Sequence, residues 1–295
     1  MRFGVVVTDP EDWTASAIRG GFERLGAEAV FLDFSELAAR MGPDLQIRGD
    51  GTDLLGLDGL VVRDLGRRGS ADVAFRFEAL SALQELGLPI VNPPAAILRA
   101  ANKFATSVAL HRAGVPHPGT LVTTSPSAAA EFVSEHGRAV SKPLFGYKGR
   151  GLLLLDAEDP APLADLIESG GVVYLQEFLE STAPRPRDIR VFVVGGRAAG
   201  AIYRVAPPGS WISNLSQGGA PQRCPLTGEI EDLALRANGA VGTVYSGVDL
   251  IETAKGLAVL EVNGTPSGRG VHQAWGIDVG EMIARHLLEE LGGPG

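Results

Sequence analysis

The chain has 295 residues, a length that fits two domains or three small ones and buries enough surface to fold without a disulfide or metal staple. Hydrophobic residues make up 45% and charged residues 21%, a globular balance rather than a disordered one. The 26 basic residues against 35 acidic ones leave a net charge of −9, which argues against nucleic acid or an anionic membrane as partner, because both attract basic surfaces. Cys224 is the single cysteine, so an intramolecular disulfide and a multi-cysteine metal site are excluded. It reads as a small core or loop residue. The run from Met1 to Asp9 is too short for a signal peptide, and nothing approaches the ~18 apolar residues of a membrane span. The expectation is a cytoplasmic protein.

In chain order, short β-branched runs alternate with helix-period segments, the pattern of an α/β protein. Phe3 to Val7 reads as a buried strand, Trp13 to Leu25 as a helix closed by Gly26, and Ala29 to Phe34 as a second strand. A third strand is expected at Gly59 to Arg63. A helix carrying Ala74, Phe77, Leu80 and Leu83 and a short strand from Pro89 to Asn92 follow. Residues 1–95 are thus expected to form a small three-layer unit, with Pro93 and Pro94 at its boundary. One helix carrying Asn102 and Lys103 runs to Gly114. Pro126 to His136 is a helix, Ala139 to Pro143 a strand, and Leu152 to Leu155 another beyond a glycine-rich turn. The strand Val172 to Phe178 closes a central unit at 96–179. The remaining unit, 180–295, holds strands at Ile189 to Val194, Ala198 to Arg204, Val248 to Glu252 and Leu257 to Val262. It also holds a helix with a stripe from Ile230 to Val244 and a C-terminal helix.

Four groups of residues can carry chemistry. The turn Gly146-Tyr147-Lys148-Gly149-Arg150-Gly151 can converge backbone N–H groups on a phosphate, and it can equally be a plain hairpin turn. Lys142 stands just before it, where its ammonium can reach the same phosphate or water. Asp249, Glu261 and Asn263 form the sharper signal. Glu261 and Asn263 are two apart on one strand and share a face, and antiparallel pairing brings Asp249 beside them. Three oxygen donors, one neutral, suit Mg²⁺. The alternative is a polar strand face on water, which the apolar neighbours Val248, Leu250 and Val262 oppose. Arg190 and Arg204 lie on consecutive strands after Asp188, as phosphoryl clamps or as structural ion pairs. The segment Gln176-Glu177-Phe178-Leu179 can offer backbone groups to an adenine edge. The five histidines lie in separate segments without zinc spacing, and no Gly-x-Ser-x-Gly elbow exists.

Taken in order, these motifs resemble the ATP-grasp superfamily and, within it, the RimK-type α-L-glutamate ligases. The matching pieces are Asn102-Lys103, Lys142 with its glycine turn, Gln176-Glu177-Phe178, Asp188 to Gly196, and Arg204. Ser213 to Gly219, Gly247 to Leu250 and Glu261 to Pro266 complete the set. The stretches 179–196 and 211–219 look closest to tetrahydromethanopterin:α-L-glutamate ligases. The resemblance implies an ATP-grasp fold with an N-terminal pre-ATP-grasp domain and nucleotide between two lobes. It implies an ATP-dependent ligase that makes an amide through an acyl phosphate, adding an amino acid, glutamate first among them, to a small-molecule or peptide carboxylate. Lys103, Lys142, Gly146, Gly149 and Gly151 would hold the phosphates; Gln176, Glu177 and Phe178 would lie at the adenine. Asp188 would serve the ribose or orient the lysines. Asp249, Glu261 and Asn263 would hold two Mg²⁺, with Mn²⁺ as substitute, and Arg204, Arg190 and Asn214 would act on the phosphoryl group and substrate. Family analogy further implies a homo-oligomer. A ligase using another amine, a kinase, and an ATP-binding regulatory protein on the same fold are the rival readings. Lys148 and Arg150 between the glycines, the small, flexible Ser267-Gly268-Arg269-Gly270 after Pro266, and the arginine-bearing insertion from Ala183 to Arg187 depart from the usual pattern and together favour an anionic acceptor.

Overall fold

A computed structural model describes residues 1–66, 69–146 and 150–292, and the statements below concern those residues. The N-terminal unit opens with β1 (Arg2–Val6), α1 (Trp13–Arg24) and β2 (Glu28–Leu32). A small antiparallel ribbon follows, β3 (Ala38–Arg40), β4 (Gln46–Gly49) and β5 (Thr52–Asp53), then β6 (Gly59–Val62), α2 (Ser70–Glu85) and β7 (Ile90–Val91). Its main sheet is parallel in the order β2-β1-β6-β7. The apolar runs read from sequence are its buried centre: Val5, Val6, Leu60, Val61 and Val62 are all inaccessible. The ribbon was not expected, since its strands are short and lack a two-residue alternation long enough to register.

The central unit differs from expectation at its first helix. Instead of one helix through Asn102 there are two, α3 (Pro94–Ala101) and α4 (Lys103–Arg112). Asn102 is extended between them and its side chain accepts hydrogen bonds from the Phe104 and Ala105 N–H groups at 3.0 and 3.2 Å. An asparagine that caps a helix satisfies otherwise orphaned donors, and here that outweighs helix continuity. The chain continues through β8 (Thr120–Thr123), α5 (Pro126–His136), β9 (Arg138–Lys142), β10 (Leu153–Asp156), α6 (Ala161–Glu168) and β11 (Val173–Glu177). These strands make an antiparallel sheet, β10-β9-β11-β8.

The third sheet, β14-β13-β12-β15-β16, is antiparallel too and carries the acidic motif. It comprises β12 (Arg187–Val194), β13 (Arg197–Val205), β14 (Ala220–Cys224), β15 (Tyr245–Thr253) and β16 (Gly256–Asn263). Helix α7 (Gly228–Val241) lays Ile230, Leu233, Ala237 and Val241 over Val191, Val248, Val259 and Val262. The segment after Pro266, expected as a flexible loop leading to one helix, forms α8 (Arg269–Trp275) and then α9 (Val279–Glu290). Cys224 is fully buried on β14, and burial pushes its thiol up, as befits a core residue.

The first and third units share one core: Phe3, Val5 and Phe22 pack with Phe192, Tyr245, Ile283 and Leu287. Buried polar groups pin the same junction. Asn92 accepts from the Val244 and Tyr245 N–H groups at 2.7 and 2.8 Å and donates to the Tyr245 carbonyl at 2.8 Å. Arg63 donates to the Pro266 carbonyl at 2.9 Å. The third sheet is thereby held as a floor over which the central unit stands, and the gap between them is the site. Among the described residues no helix is long and apolar enough to cross a membrane.

Candidate active site

Lys142 approaches the gap from the central sheet, and Lys103 from α4, which packs on α7 and β16. Because Asn102 starts α4, Lys103 occupies its first turn, where the helix dipole favours a bound anion. Its ammonium donates to the Gly146 carbonyl at 3.0 Å and lies 3.4 Å from Glu261 Oε1. Lys142 ends β9 and donates to Gln176 Oε1 at 2.5 Å. Burial pushes the Lys142 ammonium down to about 8; Glu261 opposes that shift and Lys103 adds to it. Gly146 lines the same space and Gly151 takes a left-handed conformation at the turn's end, φ 71°. Gly149, with Tyr147 and Lys148, lies outside the described residues.

The acidic residues come from the floor. Antiparallel pairing sets Asp249 opposite Glu261 and Gly247 opposite Asn263, with a register shift after Asp249. Asn263 meets Asp249, its amide N–H lying 3.4 Å from Asp249 Oδ2, and Glu261 is the register partner of Asp249. Two arginines hold Asp249. Arg190 forks onto both carboxylate oxygens at 2.7 Å each, and Arg204 Nη2 reaches Oδ2 at 2.7 Å. Glycine at 247 makes room for this, since a Cβ there would stand 3.3 Å from Arg190 Nε and 2.9 Å from Pro266 Cβ. Burial works to raise the Asp249 carboxyl, but Arg190 and Arg204 outweigh it and hold the group below the usual carboxylate range. Asp188 belongs to the same knot. Both its oxygens bind Arg204 at 2.6 Å, Ser213 Oγ donates to it at 2.5 Å, and it pairs with neither lysine.

This donor set fits a divalent cation. Asp249 and Glu261 are hard oxygen donors on neighbouring strands, and Asn263, whose amide N–H faces Asp249, leaves its Oδ1 for another partner. Among the described residues no three His, Cys, Asp or Glu side chains cluster as a metal group; the third donor here is neutral.

Lysines, arginines and acids line one cavity of about 350 Å³, within the range of small-molecule sites. Its lining also includes the apolar Val140, Leu152, Phe178, Trp211, Ile251 and Leu260. The Phe178 and Trp211 rings meet edge to face, centroids 5.9 Å apart. The Glu177 carboxylate accepts from the Gly119 N–H at 3.2 Å, and the Glu177 and Phe178 N–H groups are taken by the Gly119 and Arg138 carbonyl oxygens at 2.8 and 3.1 Å. Asn214 lines the rim at the start of a tight turn that demands glycine, because a Cβ at Gly219 would fall 2.1 Å from the Ser213 carbonyl oxygen. Trp211 and Ser213 were not singled out among the site residues. Their signal was membership of the 211–219 stretch that resembles the glutamate ligases, since residue type and spacing alone do not tie a tryptophan to a cavity.

Residues 100–287 match the RimK-like ATP-grasp domain. The chain belongs to the RimK-like ATP-grasp family. Its relatives include the tetrahydromethanopterin:α-L-glutamate ligase of Methanosarcina acetivorans, 40% identical over 321 aligned residues that cover 97% of this chain and 98% of the relative. The enzyme of the same name from Methanocaldococcus jannaschii is 35% identical, covering 98% of this chain and 99% of the relative. Among solved structures, the ATP-grasp ligase PsnB in complex with a phosphomimetic precursor variant, Mg and ADP superposes with a TM-score of 0.75. It is 23% identical and covers 98% of each chain, a likeness of fold. This RimK-like protein is an ATP-dependent carbon–nitrogen ligase.

Proposed function

We propose that this RimK-like ligase joins the amino group of L-glutamate to a carboxylate of a small-molecule cofactor, the reaction class named for its methanogen relatives. The observation that carries the reading is the meeting of two lysines with Asp249 and Glu261 across one cavity, Lys103 standing 3.4 Å from Glu261 and Asn263 beside Asp249. Lys103, Lys142 and Gly146 grip the phosphates of ATP, and the apolar lining with Phe178 and Trp211 takes the adenine. Asp249, Glu261 and Asn263 hold two Mg²⁺, or Mn²⁺ in substitution, whose charge neutralises the phosphate oxygens.

A carboxylate is a poor electrophile and must be activated. An acceptor carboxylate oxygen attacks the γ-phosphorus as the bond to the β-phosphate oxygen breaks, giving an acyl phosphate and ADP. Lys103 and Lys142 offset charge on the equatorial oxygens, and Arg204 and Arg190 keep Asp249 ionised and in place. The glutamate amine then attacks the acyl carbon. The oxyanion collapses with loss of inorganic phosphate, and the nitrogen sheds its proton. Asn214 and the free edge of Arg204 serve the oxyanion, and no protein nucleophile is needed.

The test is product analysis with ATP, Mg²⁺, glutamate and a panel of carboxylate-bearing pterins and folates. Equal ADP, phosphate and glutamyl amide are expected. ADP without phosphate would convict a kinase instead. The pH dependence supplies a further prediction. Below about pH 8 Lys142 is charged and binds phosphate; above it the free enzyme loses that proton. For wild type, kcat/KM for ATP should therefore fall as pH rises through 8. The inflection should vanish in Lys142→Met, and its persistence there would assign it to another group.

A further inference from the structure

Strand geometry puts four polar residues on one face of the central sheet. Tyr174 and Gln176 are two apart on β11; Tyr174 pairs opposite Lys142 of β9, and Gln176 opposite Thr120 of β8. Helix α4, which packs on α7 and β16, brings Ser107, one turn beyond Lys103, onto Tyr174. The contacts run in series. The Lys142 ammonium donates to Gln176 Oε1 at 2.5 Å, Gln176 Nε2 lies 2.8 Å from the Tyr174 hydroxyl, and that oxygen lies 2.8 Å from Ser107 Oγ. Gln176 Nε2 also reaches Thr120 Oγ1 at 3.4 Å.

Donor chemistry gives this chain a direction. An ammonium only donates, so the Gln176 amide must turn its oxygen to Lys142 and its nitrogen to Tyr174. Tyr174 accepts there and has one proton left, which goes to Ser107. Burial pushes the Tyr174 phenol up to about 12, so that proton is always present. Tyr174 and Gln176 are each 3% exposed, leaving water little access to substitute.

We propose that Tyr174 and Ser107 are positioning residues for ATP: their hydroxyl relay locks the Gln176 amide, which aims the Lys142 ammonium, and ties that lysine to the helix that presents Lys103. Neither hydroxyl lines the cavity. Each acts through another residue, and the relay sets the spacing of two phosphate-binding ammonium groups that lie on different elements. Without the Tyr174 oxygen, the Gln176 nitrogen loses its chief acceptor, and the amide is free to flip its N–H groups toward Lys142. The proposal rests on the reading of Lys142 as a phosphate ligand.

The experiment is ADP binding by calorimetry with Mg²⁺ present, alongside steady-state kinetics, for Tyr174→Phe, Ser107→Ala, the double variant and Lys142→Met. Tyr174→Phe and Ser107→Ala should each weaken ADP and raise KM for ATP roughly five- to tenfold, the effect of one hydrogen bond that orients a charge. Their kcat should change far less, and the double variant should be no worse than the stronger single one. Loss of ADP affinity in Lys142→Met with none in Tyr174→Phe or Ser107→Ala overturns the relay and leaves the phosphate reading intact. No loss in Lys142→Met overturns the phosphate reading and the relay with it. Additive losses, or lower melting temperatures at unchanged ADP affinity, reduce the hydroxyls to packing and overturn the proposal. Should Tyr174→Phe fail to fold, Ser107→Ala at the far end of the relay decides alone.

Discussion

Glu261→Gln is expected to lower kcat for amide formation by roughly 10²–10³-fold, while ADP affinity measured without metal stays within a few-fold of wild type. Glu261 stands opposite Asp249 in the β15–β16 pairing and has Lys103 at 3.4 Å. The amide keeps the shape but removes one of the two anionic donors, so charge developing during phosphoryl transfer loses its offset and nucleotide docking does not. Comparing turnover with metal-free calorimetry separates the two effects. Unchanged kcat would remove Glu261 from the reaction, and with it the reading of the floor as a cation site.

Arg204→Met should cost about 3–5 kcal/mol of folding stability, the range found when one partner of a buried ion pair is deleted. Arg204 is 2% exposed, and Asp188 and Asp249, its two partners, are 7% and 3% exposed. Removing the guanidinium strands Asp188 with only Ser213 and leaves Asp249 to Arg190 and the Asn263 amide. Urea unfolding of wild type, Arg204→Met, Asp188→Asn and the double variant measures this. The double variant should be less destabilised than the sum of the single ones, because the second change removes a carboxylate already lacking its counter-ion. A loss below about 1 kcal/mol for Arg204→Met would mean that water enters the knot and the pairs behave as surface salt bridges.

These residues differ in how much of their fate can be read along the chain. That Glu261 and Asn263 share a face follows from the two-residue period of any strand, and the apolar neighbours of Asp249 already exclude a solvated position. The capping power of Asn102 is likewise a property of its side chain, yet it was absorbed into one helix because the flanking residues on both sides favour helix. What local pattern cannot supply is choice among partners. Arg204 was open to a substrate or to either acid, and its fork onto Asp188 with one edge on Asp249 exists because β13, β12 and β15 lie side by side in that order.

Apart from the β3–β5 ribbon, β8, β14, the break at Asn102 and α8, the order of strands and helices, the positions of the buried runs and the oxygen-donor chemistry of the acidic motif were written in residue type and spacing. Those features depend on forces acting within a few residues: steric limits on the backbone, side-chain periodicity and the cost of burying charge. Which ion pairs formed, that Trp211 closes the cavity against Phe178, and that Ser107 touches Tyr174 were decided by folding. Each is a contact between segments far apart along the chain, selected by how the sheets and helices pack, and packing is a property of the assembled core that no short stretch of sequence contains.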